Sequence, residues 1–258
     1  MTRLASLKGI LMKSVKTSIE DVPLNNFHQW LTVRSGGGSF VDGYVLSIVG
    51  VVMLHLSSAL KLDSFWEGMI AASALIGIFF GGFIGGWLTD VIGRKRIFFV
   101  GPVIFLLASV AQYSAESALT LFMLRLLIGV AVGIEYPVAT ALLVEFLPRK
   151  YRGPRLAALA LLWFAGAACA YIVGELILRS GVPDAWRLVL ASGAVLGALL
   201  FLVRLGTPES PRWLINKGRH SEANSVIKLI YGSHFSLDNL PEQTQEKKLP
   251  LLSGLARS

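Results

Sequence analysis

The chain holds a single cysteine, Cys169, inside an apolar run. An intramolecular disulfide is therefore excluded, and so is a cysteine metal cluster. The nucleotide-binding string Gly-x-x-x-x-Gly-Lys-Ser/Thr is missing, as are His-Glu-x-x-His and Gly-x-Ser-x-Gly. An ATP-driven pump and a membrane protease of those types are not expected. No enzyme activity, cofactor or metal is expected. The first thirty residues carry charges throughout and lack the apolar core of a secretory signal. Charged residues make up only 16% of the chain, and they are almost missing from six long stretches.

Those stretches dominate the composition. Hydrophobic residues reach 54% and the mean hydropathy is +0.63, too apolar for a soluble domain of this length. The stretches run near Gly36–Ser58, Gly68–Thr89, Ile97–Tyr113, Leu119–Glu145, Arg155–Leu178 and Trp186–Leu205. Each is long enough to cross a bilayer core of about 30 Å. Backbone polar groups in lipid must be satisfied within the chain, so all six are expected to be helices. The fold class is thus an all-α membrane protein. Short connections at 61–66, 114–118 and 180–185 make neighbouring spans antiparallel. Gly77, Gly81 and Gly85 in the second span, with Gly129 and Gly133 in the fourth, stand at helix-contact spacing.

The net charge of +8 is unevenly spread. Arg94, Lys95, Arg96, Arg149, Lys150, Arg152, Arg155 and the basic residues of both termini fall on one side. Lys61, Arg179 and Arg187 fall on the other. This asymmetry orients both termini to the cytoplasm, touches anionic headgroups, and makes nucleic acid an unexpected partner. The expected localisation is the cell (inner) membrane. Residues 1–35 read as a cytoplasmic tail, 36–206 as the bundle, 207–232 as a cytoplasmic motif with an amphipathic helix, and 233–258 as a linker. Leu4, Leu7, Leu11 and Ile19 form a weak apolar stripe, read either as an interfacial helix or as a poorly ordered tail. Ala223, Val226, Ile227 and Ile230 recur at helical spacing before Gly232.

Two strings carry more information than hydropathy. Gly86, Asp90, Gly93, Arg94 and Lys95 fill the pattern Gly-x-x-x-Asp-x-x-Gly-Arg-Lys. Gly93 permits a tight reversal between helices. Asp90 is placed at a helix C-terminus, where the macrodipole disfavours an anion, so it needs a partner. Pro208-Glu209-Ser210-Pro211-Arg212-Trp213-Leu214 follows the sixth span, and Glu145 precedes Arg152-Gly153 after the fourth. Glu209 and Arg212 are three apart, so one pairs locally while the other reaches Arg152 or Glu145.

Together these strings resemble the signatures of the major facilitator superfamily, in its sugar-porter and metabolite:proton symporter branches. The string Val41-Asp42-Gly43-Tyr44 with Gly133-Ile134-Glu135-Tyr136-Pro137 is most similar to inner-membrane metabolite transporters of enteric bacteria. The resemblance covers roughly Phe27 to Tyr231. It implies one bundle of two inverted three-helix repeats, half of a twelve-helix fold. It implies a cytoplasmic gate made of Gly86, Asp90, Gly93, Arg94, Lys95, Glu145, Arg152, Gly153, Glu209 and Arg212. In that gate Asp90 faces a helix end of a second six-helix bundle, and a basic residue of the loop pairs with Glu145. Val91 stands where the family often has a further base.

Asp42, Arg125 and Glu135 lie inside predicted spans. Each costs about 2.5–3.5 kcal/mol to insert, so a proton-coupling or substrate pathway is expected there. Arg125 and Glu135 are separated by about 15 Å along the helix and about 80° around it. They are expected to line one cavity at different depths without pairing. Gly36, Gly37 and Gly38 are expected to weaken the helix beside Asp42. Some related branches carry a second acid three residues after the first; this chain has Val45. Trp163 and Tyr171 are candidates for substrate contact, though packing and interfacial anchoring are the expected roles. The expected function is proton-coupled uptake of a small metabolite such as a sugar, organic acid or phosphate. A truncated, non-transporting fragment or a membrane interaction protein is the alternative, with a homodimer of halves as a third reading.

Overall fold

A computed structural model describes residues 18–240. Among the described residues six helical spans are long and apolar enough to cross a membrane. Helix α1 runs Asn26–Leu60, α2 Ser64–Ile92, α3 Arg94–Tyr113, α4 Ala118–Phe146 and α5 Arg149–Leu178. The sixth span is two pieces, α6 (Ala185–Ala191) and α7 (Gly193–Arg204), and two short helices follow, α8 (Pro211–Asn216) and α9 (His220–Tyr231). All described regular structure is helical.

Helix α1 starts at Asn26 rather than near Gly36, so part of the expected tail is helix. Asn25 caps it: its side chain accepts the His28 N–H while His28 Nδ1 accepts the Asn25 N–H. Its 35 residues extend about 52 Å, well beyond a core of about 30 Å. The helix is continuous through Gly36, Gly37 and Gly38, which do not break it.

Packing follows a repeat-exchanging pattern. The most extensive contacts are α2 with α4 and α1 with α5; α3 packs on α4, on the sixth span, and α1 packs on the sixth span in turn. Shifting every span by three converts α1–α5 into α4–α2, the relation expected of two inverted three-helix repeats. Both major pairs are backbone-close. A Cβ on Gly77 or Gly81 would meet the α4 backbone at Leu126 and Val130, and one on Gly129 would meet Ala74. A Cβ on Gly43 would meet the Trp163 carbonyl, and one on Gly166 the Phe40 carbonyl. The α2–α4 glycines were expected at a contact; those between α1 and α5 were not anticipated.

Residues 233–240 are not a free linker. Phe235 is buried, and Ile19 donates its N–H to the Asn239 carbonyl. Ile19, Ile227, Ile230, Tyr231 and Phe235 share one apolar cluster with the ends of α1 and α4. The stripe residues Leu4, Leu7 and Leu11, and positions 241–258, lie outside the described residues.

Candidate functional site

Two charged centres lie inside the bundle. Asp42 on α1 and Glu135 on α4 are 1% and 2% exposed, and both line one cavity of about 430 Å³. Its polar lining is completed by Ser39, Tyr136, Thr140 and Trp163. Asp42 Oδ1 and Trp163 Nε1 are buried without a partner. Trp163 therefore belongs to the cavity wall.

Glu135 is not free. Arg204, at the end of α7 and fully buried, grips it with both terminal nitrogens, Nη2 on Oε1 and Nη1 on Oε2, the latter at 2.9 Å. Arg204 Nη1 also donates to the Phe98 carbonyl, and its guanidinium lies 3.7 Å from the centroid of the Phe98 ring. The local sequence explains this acceptor. Pro102 lies inside α3 and has no N–H for the carbonyl four residues back, so Phe98 offers it to Arg204. Gly38 and Gly101 leave the room: a Cβ on Gly38 would collide with both members of the pair, and one on Gly101 with Glu135.

Arg125 is placed elsewhere. It is 1% exposed and donates to the α1 carbonyls of Val45 and Leu46 at 2.7 and 3.2 Å. It does not line the cavity of Asp42 and Glu135. The base of that site is Arg204 rather than Arg125; it lies at the end of the sixth apolar stretch, where no motif singles it out. The position where related chains carry a second acid is thus the one whose main chain Arg125 holds.

At the basic end of the bundle the two signature strings interlock. The reversal at Gly93, with φ 115°, leaves the last carbonyls of α2 beside the first N–H groups of α3. Glu209 accepts the Lys95 N–H at 3.1 Å. Trp213 Nε1 donates to the Asp90 carbonyl at 2.9 Å, and Arg94 Nη1 to that of Thr89 at 3.1 Å. Arg94 pairs with Glu145 at 3.3 Å and with Asp90 at 2.8 Å. The Asp90 side chain is 72% exposed. Gly86 and Gly153 border open space.

Arg152 and Arg212 do not reach Glu145 or Glu209. With Arg149 they converge on Glu20, at 2.7, 3.0 and 2.7 Å respectively. Burial pushes the Glu20 carboxyl up, but hydrogen bonds and charges of Arg152 and Arg149 outweigh it and hold it below its ordinary value. The Glu20 carbonyl also accepts the Arg149 N–H at 3.0 Å, capping α5, whose Pro148 offers no side-chain cap. Glu20 had no sequence signal beyond being an acid in a basic tail.

Comparison with known proteins agrees with this architecture. Residues 27–250 match the family model "Sugar (and other) transporter". The inner membrane metabolite transport protein YgcS of Escherichia coli is 40% identical over 226 residues, covering 88% of this chain and 51% of that protein. The arabinose-proton symporter of Bacillus subtilis is 27% identical over 257 residues, with 95% and 55% covered. A structure of the xylose transporter XylE from Escherichia coli superposes with a TM-score of 0.74 at 22% identity, covering 81% of this chain and 54% of that one. The chain spans about half the length of the curated relatives it matches. Family match, relatives and six-helix bundle agree that the chain belongs to the sugar (and other) transporter family of the major facilitator superfamily, a family of membrane transporters and not of enzymes, and corresponds to its amino-terminal half.

Proposed function

We propose that this chain forms the amino-terminal half of a proton-coupled carrier for a small, uncharged, hydroxylated metabolite of the sugar type. The observation that carries this is the cavity of Asp42 and Glu135. An unpartnered buried carboxylate oxygen beside a second carboxylate is a site where a proton relieves both burial and like-charge repulsion. Arg204 neutralises Glu135, which leaves Asp42 as the group that loads and releases the proton.

The lining bears on the substrate. Hydroxyls of Ser39, Thr140 and Tyr136 and the Trp163 N–H suit a neutral polar solute, and no lysine or arginine lines this wall. Arg204 is already paired with Glu135, so a phosphate or carboxylate would meet Asp42 with no free cation to pair it, which disfavours the organic-acid and phosphate readings. The second six-helix bundle supplies the opposite wall and the helix end that faces exposed Asp90. The basic end is cytoplasmic by the positive-inside rule, and there Arg94–Glu145 and the Glu209 cap form the inner gate. The boundaries 36–206 for the bundle and 207–232 for the gate motif belong to this reading, with α1 beginning earlier.

Uptake driven by a pH gradient in the complete carrier tests it. Asp42→Asn is expected to abolish gradient-driven accumulation while preserving insertion and sugar exchange at equal pH. Normal accumulation by this variant would overturn the proton assignment.

A further inference from the structure

A second cavity, about 370 Å³, opens on the other side of α1. Val33, Gly37 and Phe40 of α1, Leu162 of α5, and Leu199 and Val203 of α7 line it, and every lining residue is apolar or glycine. Around the helix, Val33, Gly37 and Phe40 lie about 140–180° from Asp42. A second bundle must close over the Asp42 cavity, so this groove turns away from it and faces the bilayer. That step rests on the transporter reading. The glycine floor makes the trough: a Cβ at Gly37 would approach Leu200 Cδ1 to 3.3 Å.

The basic end of the groove is charged. Arg34, one residue past Val33, donates Nε to the Val203 carbonyl at 3.0 Å and Nη2 to the Leu205 carbonyl at 2.9 Å. These bonds hold its guanidinium at the groove mouth and leave Nη1 without a partner among the described residues. On α5, Arg155 lies two turns from Leu162 along the same face, and it donates to Gln29 at 2.7 Å. Neither arginine has an ion-pair partner among the described residues. Trp30, 57% exposed, lies one turn from Arg34, where an interfacial aromatic anchors at headgroup depth.

We propose that this groove binds an anionic glycerophospholipid, one acyl chain lying on the Gly37 floor and the phosphodiester held by Arg34 and Arg155. An apolar trough inside the bilayer, ending at two uncompensated guanidinium groups, matches a lipid along its whole length. A guanidinium fork suits a phosphate better than a choline headgroup, whose own cation it repels. The ligand is a lipid rather than free phosphate, because the trough and the charge are continuous.

Native mass spectrometry of the full-length protein tests this, with palmitoyl-oleoyl phosphatidylglycerol and phosphatidylcholine as probes and inorganic phosphate as competitor. Phosphatidylglycerol adducts are expected to exceed phosphatidylcholine adducts, and Arg34→Gln and Arg155→Gln each to weaken the former about fivefold. Leu199→Trp, which fills the trough, is expected to reduce both lipids. Leu199 is exposed and Arg155 half-buried with one side-chain hydrogen bond to Gln29, so Leu199→Trp and Arg155→Gln carry the test if Arg34→Gln fails to fold. Equal retention of the two lipids, displacement by millimolar phosphate, or no response to Leu199→Trp would each overturn the proposal. Asp42→Asn is expected to leave lipid binding unchanged, which separates this result from the fate of the proton site.

Discussion

The Arg204–Glu135 pair is the most demanding interaction at the residue scale. Dehydrating two charges costs several kcal/mol per ion, and only good geometry offsets that. Here the geometry is bidentate, backed by a proline-freed carbonyl and an aromatic face. Removing one partner is the severe change. Arg204→Met is expected to destabilise the bundle by about 3–5 kcal/mol, and Arg204→Met with Glu135→Met to recover most of it; thermal unfolding of the purified variants measures both. Equal losses in the single and double variants would refute the pairing. Glu135 was legible in the sequence as a costly acid in a span. Arg204 was not, because an arginine at a span end ordinarily snorkels to water. The clue available was Pro102, which frees a carbonyl for an unknown donor. Arg125 was legible as buried but not by what it touches, since main-chain acceptors leave no mark in the sequence.

At the scale of elements, glycine decides which helices approach. Gly43 and Gly166 each face a carbonyl of the opposite helix, whereas Gly82 borders open space. Gly43→Leu or Gly166→Leu is expected to push α1 from α5 and lower thermal stability by several kcal/mol, as overpacking does. Gly82→Leu is expected to stay within about 0.5 kcal/mol of the parent. Similar melting temperatures for all three would contradict the close contact. The spans and their order follow from hydropathy, which integrates over about twenty residues and so tolerates local error. Their ends do not. The early start of α1 depends on the Asn25–His28 capping box, a local feature that a hydrophobic window passes over. Likewise the packed turn at 233–240 looked polar in composition, while its burial hangs on Phe235 alone among its aromatic residues.

For the whole molecule, Glu20 joins distant parts of the chain. Through it the start of the described chain is tied to α5 and to α8, while Ile19 pairs with Asn239. Its carboxyl is held below the ordinary 4.5. A lowered folded-state value means stability that is present above the unfolded value and is lost as pH falls through the folded one. Glu20→Gln is therefore expected to be less stable than the parent at neutral pH, with the gap closing below pH of about 4.5. Unfolding measured from pH 3 to 8 reads this; a gap independent of pH would refute it. At the basic end the pairing of Arg94 with Glu145 was expected from the family resemblance, but the partners of Arg152 and Arg212 were not. Three arginines shared by one acid is a tertiary fact, and the acids that the motifs brought forward were Glu145 and Glu209, not Glu20.

The close pairing of α1 with α5, and of α2 with α4, divides the Asp42 cavity between two blades. One blade carries Asp42, Ser39 and Trp163; the other carries Glu135, Tyr136 and Thr140. Glycine-tight backbones hold each blade together, so the two acids, one on each blade, would register a shear of one blade over the other. That shear alters the spacing of the two carboxylates first, while the tryptophan stays in step with its aspartate. A seam thus runs between the acids, and whatever slides the blades also meters how strongly one acid feels the other.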